Sequence, residues 1–181
     1  NNVNNPHNRN LMALKPVQDL DSERFWRGVY AAIAQANAAI KNISITENPT
    51  TSDELLFNDI IGQAYFVRAW AYFDLTRLFK DIPLWTELSD QDNINKAKSL
   101  SKEVYAQIIS DAEVAASLIN GSTGLGYPKQ YAPNMLLAKV YMTLATNSEL
   151  RNESMSEMDY WQMAYDEANK VYGQYSLVSD Y

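Results

Sequence analysis

Apolar residues recur at three- and four-residue steps through most of this chain, and each run is closed by a polar, proline or glycine stop. Trp26, Val29, Tyr30, Ile33, Asn37, Ile40 and Ile43 form the first stripe, with Glu23, Arg24, Arg27 and Lys41 off it. The pattern predicts a helix that Asp21 or Ser22 caps and that ends at the NPTTS run of residues 48–52. Ser52 is the expected cap of a second helix starting near Asp53, where Asp53 and Glu54 suit the positive end of the helix dipole. This helix is apolar nearly all round. Leu56, Ile60, Ala64, Val67 and Ala71 make one row, while Phe66, Ala69, Trp70 and Phe73 occupy other faces, so it must be packed on more than one side. It stops before Ile82-Pro83, because the residue preceding a proline is pushed out of the helical region.

A third helix is expected from a Ser101 cap, with Val104, Tyr105, Ile108, Ala112, Ala115 and Ile119 as its stripe, broken by the GSTGLGYP run at 121–128. Pro133 suits the first turn of a fourth helix carrying Leu136, Leu137, Val140, Tyr141 and Leu144. Ser156 and Asp159 form a capping box for a fifth, with Trp161, Ala164, Tyr165, Ala168, Val171 and Tyr172 as its stripe and Gly173 as its stop. The expected fold is all-α, built of tetratricopeptide-like antiparallel helical hairpins whose alanines permit close helix contact. No strict repeat of about 34 residues supports this, so the expectation rests on helix pairing. The fifth helix has no mate in such a scheme, and the chain is therefore expected to be part of a longer protein. Residues 1–21 read as an irregular segment, with six Asn and two Pro in the first 20 positions and no periodicity, leaving 22–181 as the helical domain.

Composition narrows the function classes. With 15 basic and 22 acidic residues the formal charge is -7, which repels phosphate backbones and anionic membrane surfaces, so no nucleic-acid partner is expected. There is no cysteine and one histidine, His7, so neither a thiolate nucleophile nor a cysteine zinc site is available. No Glu-x-x-His spacing, glycine-rich phosphate loop or Gly-x-Ser-x-Gly elbow occurs. Catalytic and metal-binding residues, and cofactors, are accordingly expected to be none, and the protein is expected not to be an enzyme.

The segment GQAYFVRAWAYFDLTRLFKDIPL, Gly62–Leu84, resembles the most characteristic stretch of the SusD/RagB family, a small-residue-rich helix bearing an Arg-Ala and a Tyr-Phe pair that runs into a proline turn. Trp26, Tyr30, Ile33, Ala36 and Asn37, then VYAQIISDAEVAASL, LLAKVYMTLA and YWQMAYDEANKVYGQYSLVSDY, resemble the family's other helices in the same order. Gln63 stands where an acidic residue is common, Lys80 where glycine is usual and Pro133 where a small helix former is. The resemblance implies a nutrient-binding lipoprotein on the outer face of the outer membrane. It would lie as a lid on a SusC-like TonB-dependent transporter, bind a glycan or, in the RagB branch, an oligopeptide, and meet the membrane only through a lipid anchor on a cysteine upstream of this chain. A helical-repeat scaffold with protein partners alone is the competing reading.

Arg68 lies among apolar neighbours, where a guanidinium must be satisfied by carbonyls or a carboxylate, so a structural role for Arg68 and for Asn37 is favoured over ligand contact. Trp26, Tyr30, Tyr72 and Phe73 read as core. Ligand contact is expected instead from loops that combine aromatic faces with hydroxyl-pairing groups: Asn8, Arg9 and Asn10, then Trp85 beside Glu87, then Tyr127 and Tyr131 around Lys129. A tryptophan after a turn more often staples the loop to the helices beneath, and Trp85 is open to that alternative.

Overall fold

Five helices form where the stripes lie. The structure, a computed structural model, describes residues 20–88 and 95–176. Helix α1 is Leu20–Asn42, α2 Ser52–Phe79, α3 Ser101–Leu118, α4 Ala132–Thr146 and α5 Glu157–Val171. Two-residue strands β1, Ile82–Pro83, and β2, Lys98–Ser99, pair antiparallel and close the loop between α2 and α3. A short 3-10 turn, Ser148–Leu150, joins α4 to α5.

Consecutive helices pack antiparallel in a row. Tyr30 in the middle of α1 reaches Pro83 beyond the end of α2, while Thr46 beyond α1 meets Asn58 near the start of α2. Phe73 meets Tyr105 across α2 and α3, and Tyr141 meets Tyr160 across α4 and α5. One end of the array therefore carries the α1–α2 and α3–α4 linkers, and the other carries the α2–α3 and α4–α5 linkers. The core runs through the row, from Ile33, Tyr72 and Leu75 through Val104, Ile108 and Ala112 to Leu136, Val140, Leu144 and Tyr160. The α3 and α4 stripes are buried as their spacing requires. Helix α2 is covered by both α1 and α3. Val67, Trp70 and Leu78 nevertheless stay exposed along one edge of it.

Several ends differ from the expectation. Helix α1 opens at Leu20, which puts Asp21 and Ser22 inside its first turn and not at the cap. Thr51, not Ser52, caps α2: its extended backbone lets Oγ1 accept the Glu54 N–H at 3.2 Å, and the Glu54 carboxylate accepts the Thr51 N–H at 2.9 Å. Leu100 occupies the cap position of α3, with its N–H given to Glu103 at 3.1 Å. Ser101 is already helical and turns its N–H and hydroxyl to Asp81, each at 2.8 Å. The Ser156–Asp159 capping box is present.

Helix α5 departs most. Expected to lack a mate, it packs against α4 as the second arm of a hairpin. Its buried residues are Tyr160 and Ala164, while Tyr165 and Tyr172 of the expected stripe are 63% and 85% exposed. The Tyr160 hydroxyl accepts the Asn152 N–H at 3.0 Å and Asn134 Nδ2 donates to Glu167 at 2.8 Å, which fixes the rotation of α5 on α4. The face bearing Met158, Tyr165 and Tyr172 is open.

Two backbone positions set the α2 boundary contacts. A Cβ on Gly62 would come within 2.8 Å of Leu118 Cβ and 3.0 Å of the Ile119 N, so only glycine permits α2 to approach the end of α3 this closely. Lys80 closes α2 at φ 59 and ψ -113, a conformation that costs a residue with a Cβ. Lys80→Gly should raise stability by about 1 kcal/mol and Gly62→Ala should lower it by about 1–3 kcal/mol, opposite shifts of the urea midpoint at unchanged slope.

Candidate functional site

Arg68, near the middle of α2, is 3% exposed and is satisfied on every side. Its Nε and Nη2 donate to the two oxygens of Asp111 on α3, both at 2.7 Å, a bidentate pair. Nη1 donates to Asn37 Oδ1 on α1 at 2.7 Å and to the Thr86 carbonyl at 2.9 Å. Asn37 Nδ2 in turn donates to the Trp85 and Glu87 carbonyls, at 3.1 and 2.9 Å. Tyr72 accepts the Trp85 N–H at 2.6 Å and donates to its carbonyl at 2.8 Å, and Tyr30 donates to the Pro83 carbonyl at 2.7 Å. Burial pushes both phenols above their usual range, so they remain protonated donors. Segment 83–87 thus runs back along α2 as a strap whose backbone is held by side chains of α1 and α2, while Asp111 of α3 fixes the Arg68 guanidinium. The structural reading of Arg68 and Asn37 describes what these contacts do.

A second polar centre was not anticipated. Asp59 of α2 is fully buried; Oδ1 accepts the N–H groups of Asn120 and Gly121 at 2.7 and 2.9 Å, and Oδ2 accepts the N–H and hydroxyl of Thr123, both at 2.8 Å. Gln63 donates to Asp59 at 3.1 Å and to Thr123 Oγ1 at 2.6 Å. Desolvation works against this carboxylate, yet the donors around it outweigh burial and hold its pKa below the ordinary 3.8. The glycine-rich linker thereby gains a fixed start. The signal in the sequence was an aspartate on the apolar helix one turn before Gly62, an exception that demanded donors.

The expected ligand residues are dispersed. Asn8, Arg9 and Asn10 lie outside the described residues. Trp85 is half-buried on the core, with the Lys96 ammonium 5.3 Å from its ring, and its backbone is held by Tyr72 and Asn37. Tyr127 is 55% exposed, and half-buried Tyr131 meets Tyr175 edge-on at 6.2 Å. Among the described residues no ring contact links Trp85 to Tyr127 or Tyr131.

Clefts flank the helices at several places, and two of them bear on the exposed apolar face and on the expected ligand residues. One, of about 470 Å³, is apolar and lies between α1 and α2, lined by Val29, Ala32, Phe66, Val67 and Trp70. Its Trp70 ring lies 5.4 Å from the Lys139 ammonium, which joins this face to α4. The other, of about 660 Å³, lies between α3, α4 and α5 and opens beside Tyr131. Among the described residues no cluster of His, Asp or Glu is placed to hold a metal ion, and no helix is long and apolar enough to cross a membrane.

Comparison with known proteins assigns the family. Residues 2–142 match the SusD-like family described as starch-binding and associating with the outer membrane. The chain belongs to this family. SusD-like protein P2 of Formosa agariphila is 37% identical over 122 residues, covering 66% of this chain and 23% of that protein. A SusD superfamily structure from Parabacteroides distasonis superposes with a TM-score of 0.75 at 27% identity, over 95% of this chain and 36% of that one. One from Bacteroides thetaiotaomicron gives 0.66 at 30%, over 85% and 33%. The SusD-like fold is thus shared over nearly the whole chain, which spans about a quarter to a third of the length of these relatives.

The two polar centres yield separable tests. Arg68→Ala, which strands Asp111 in the interior, should cost about 3–5 kcal/mol in denaturant unfolding, whereas Arg68→Met with Asp111→Leu should recover only part of that loss, because Asn37 Oδ1 and the Thr86 carbonyl still lose their donor. For Asp59 the folded pKa lies below the unfolded one, so the unfolded state binds the proton more readily. Its contribution is present above pH 3.8 and is lost as pH falls through the folded value. Asp59→Asn should therefore flatten the fall in stability between pH 5 and 2 in acid titrations followed by circular dichroism, a range set by the roughly 4 of an unperturbed carboxyl.

Proposed function

We propose that this chain is the helical scaffold of a surface-exposed outer-membrane lipoprotein that captures a glycan and delivers it to a SusC-like TonB-dependent transporter, without catalysing any reaction on it. The observation that carries this reading is the family match over residues 2–142, whose description names both starch binding and the outer membrane. Support for a saccharide comes from proteins sharing the fold: one structure was determined with a xylogluco-oligosaccharide and another is a laminarin-binding SusD-like protein, with TM-scores of 0.73 and 0.64.

The division of surfaces supports the docking half of the proposal. Helices α2 and α4 leave Val67, Trp70, Leu78, Met135 and Met142 exposed, an apolar surface of the kind that marks interaction sites when contiguous. Loops carry the aromatic and hydroxyl-pairing groups and are free to vary with ligand. Arg27 and Lys41, exposed on α1, would then lie at the rim of the docking face, with Arg27 paired to Glu23 at 2.8 Å.

Calorimetry on the intact protein should show saturable binding of a neutral glycan with no product released. Charge reversal of Arg27 with Lys41 should weaken co-purification with the transporter several-fold while sparing glycan affinity, and Tyr127→Ala, at an exposed linker ring, should do the reverse. Binding of oligopeptides in place of glycans would move the protein to the RagB branch. Binding of neither, with the complex intact, would leave a protein-docking scaffold.

A further inference from the structure

Resting on the glycan-binding reading, we propose that the cleft between α3, α4 and α5 is a saccharide subsite selective for neutral sugars, with Tyr131 as its aromatic platform. The cleft is built by Glu113, Gln130, Tyr131, Asn134, Glu167 and Lys170 over a floor of Ala116 and Leu137, and about 660 Å³ is within the range of small-molecule sites, roughly 300–1,000 Å³. Its shape is fixed from beneath and from the sides. The Asp59 centre anchors the start of the linker that leads to Tyr131, and the first turn of α4 holds its end, where the Met135 N–H donates to the Tyr131 carbonyl at 3.2 Å. Tyr175 braces the Tyr131 ring edge-on.

The chemistry of the walls selects the ligand class. Glu167 is largely buried and already engaged on both oxygens, by Asn134 at 2.8 Å and Lys170 at 2.6 Å, and Glu113 is a partner of the Tyr141 hydroxyl. Two carboxylates against one ammonium leave the cleft net negative, which opposes uronates, sulfated sugars and peptide carboxylates. The Tyr131 hydroxyl and the Gln130 amide have no side-chain hydrogen bond within the described residues and remain available to pair with sugar hydroxyls beside the ring. An aromatic face for apolar C–H surface, with adjacent neutral donors and acceptors, is what a pyranose needs.

The test uses the intact lipoprotein, calorimetry, and three probes: laminarin oligosaccharides, xylogluco-oligosaccharides and, as an anionic control, oligogalacturonate. For a neutral probe that wild type binds, Tyr131→Ala should weaken affinity about tenfold, the contribution of one stacked ring. Gln130→Ala should weaken it about threefold, and Tyr131→Phe should stay near wild type because stacking is kept. Unchanged circular dichroism and melting temperature separate this from unfolding, and exposed Gln130 makes the second variant mild in any case. Glycan binding equal in wild type, Tyr131→Ala and Gln130→Ala overturns the subsite and leaves the function standing. Preference for oligogalacturonate overturns the selectivity for neutral sugars. Failure of wild type to bind either neutral probe overturns the subsite as stated here, and its binding of other neutral glycans or of peptides then decides the broader reading.

Discussion

The buried ion pair between Arg68 and Asp111 is the constraint around which the first three helices are arranged. Taking a guanidinium and a carboxylate out of water costs several kcal/mol per ion, and the cost is met only if geometry is good and every remaining donor finds an acceptor. Two bonds to Asp111 leave Nη1, and it is completed by Asn37 from α1 and the Thr86 carbonyl. The consequence is positional. α1, α2, α3 and the segment 83–87 must all arrive at one point, so a loop that leaves the end of α2 is turned back along the helix and fixed there.

Asp59 performs the same kind of task at the opposite end of α2. There the acceptor is the helix residue and the donors are backbone N–H groups of a glycine-rich linker, which lets the linker take a defined course with little side-chain packing of its own. Gly62 sits one turn further on and brings the α3 end against α2. Among the described residues every buried side-chain nitrogen and oxygen has a hydrogen-bond partner. The polar interior is consumed by the fold, and groups free to meet a ligand lie at the linkers and clefts, as rigid scaffolds with variable loops generally place them.

Under the proposed function, this division leaves the helical sides for docking and the linkers and clefts for the ligand. Antiparallel helices packed in a row expose long flat sides, and here one side retains Val67, Trp70, Met135 and Met142 without cover. The open face of α5 with Tyr165 and Tyr172 is a second such surface, at the far end of the row. Neither surface competes with the α3–α4–α5 cleft, whose walls combine apolar surface with carboxylate, amide and ammonium groups and whose aromatic ring comes from a linker.

Helix number, order and most buried stripes were legible in the sequence because burial against one neighbour imposes a 3.6-residue period on amino-acid choice. Arg68 and Asn37 were legible as structural for a similar reason: a charge or amide within an apolar stripe has to be satisfied inside the protein. Their partners were not, since Asp111 and the carbonyls of residues 85–87 are far away in sequence and a hydrogen bond across helices leaves no periodic trace. The α2 cap falls on Thr51 and not Ser52 because neighbouring hydroxyls can each cap and only backbone geometry chooses between them, whereas at α3 Leu100 takes the cap position without a side-chain bond and Ser101 turns its hydroxyl to Asp81. Tertiary structure alone decided that α5 turns Tyr160 inward and Tyr165 outward, since aromatic residues on adjacent helical faces are interchangeable in pattern and are distinguished by the Asn152 N–H waiting for one hydroxyl. It also separated Trp85 from Tyr131: both read as aromatic residues in polar loops, but one loop is strapped onto two helices by its backbone and the other opens beside a cleft.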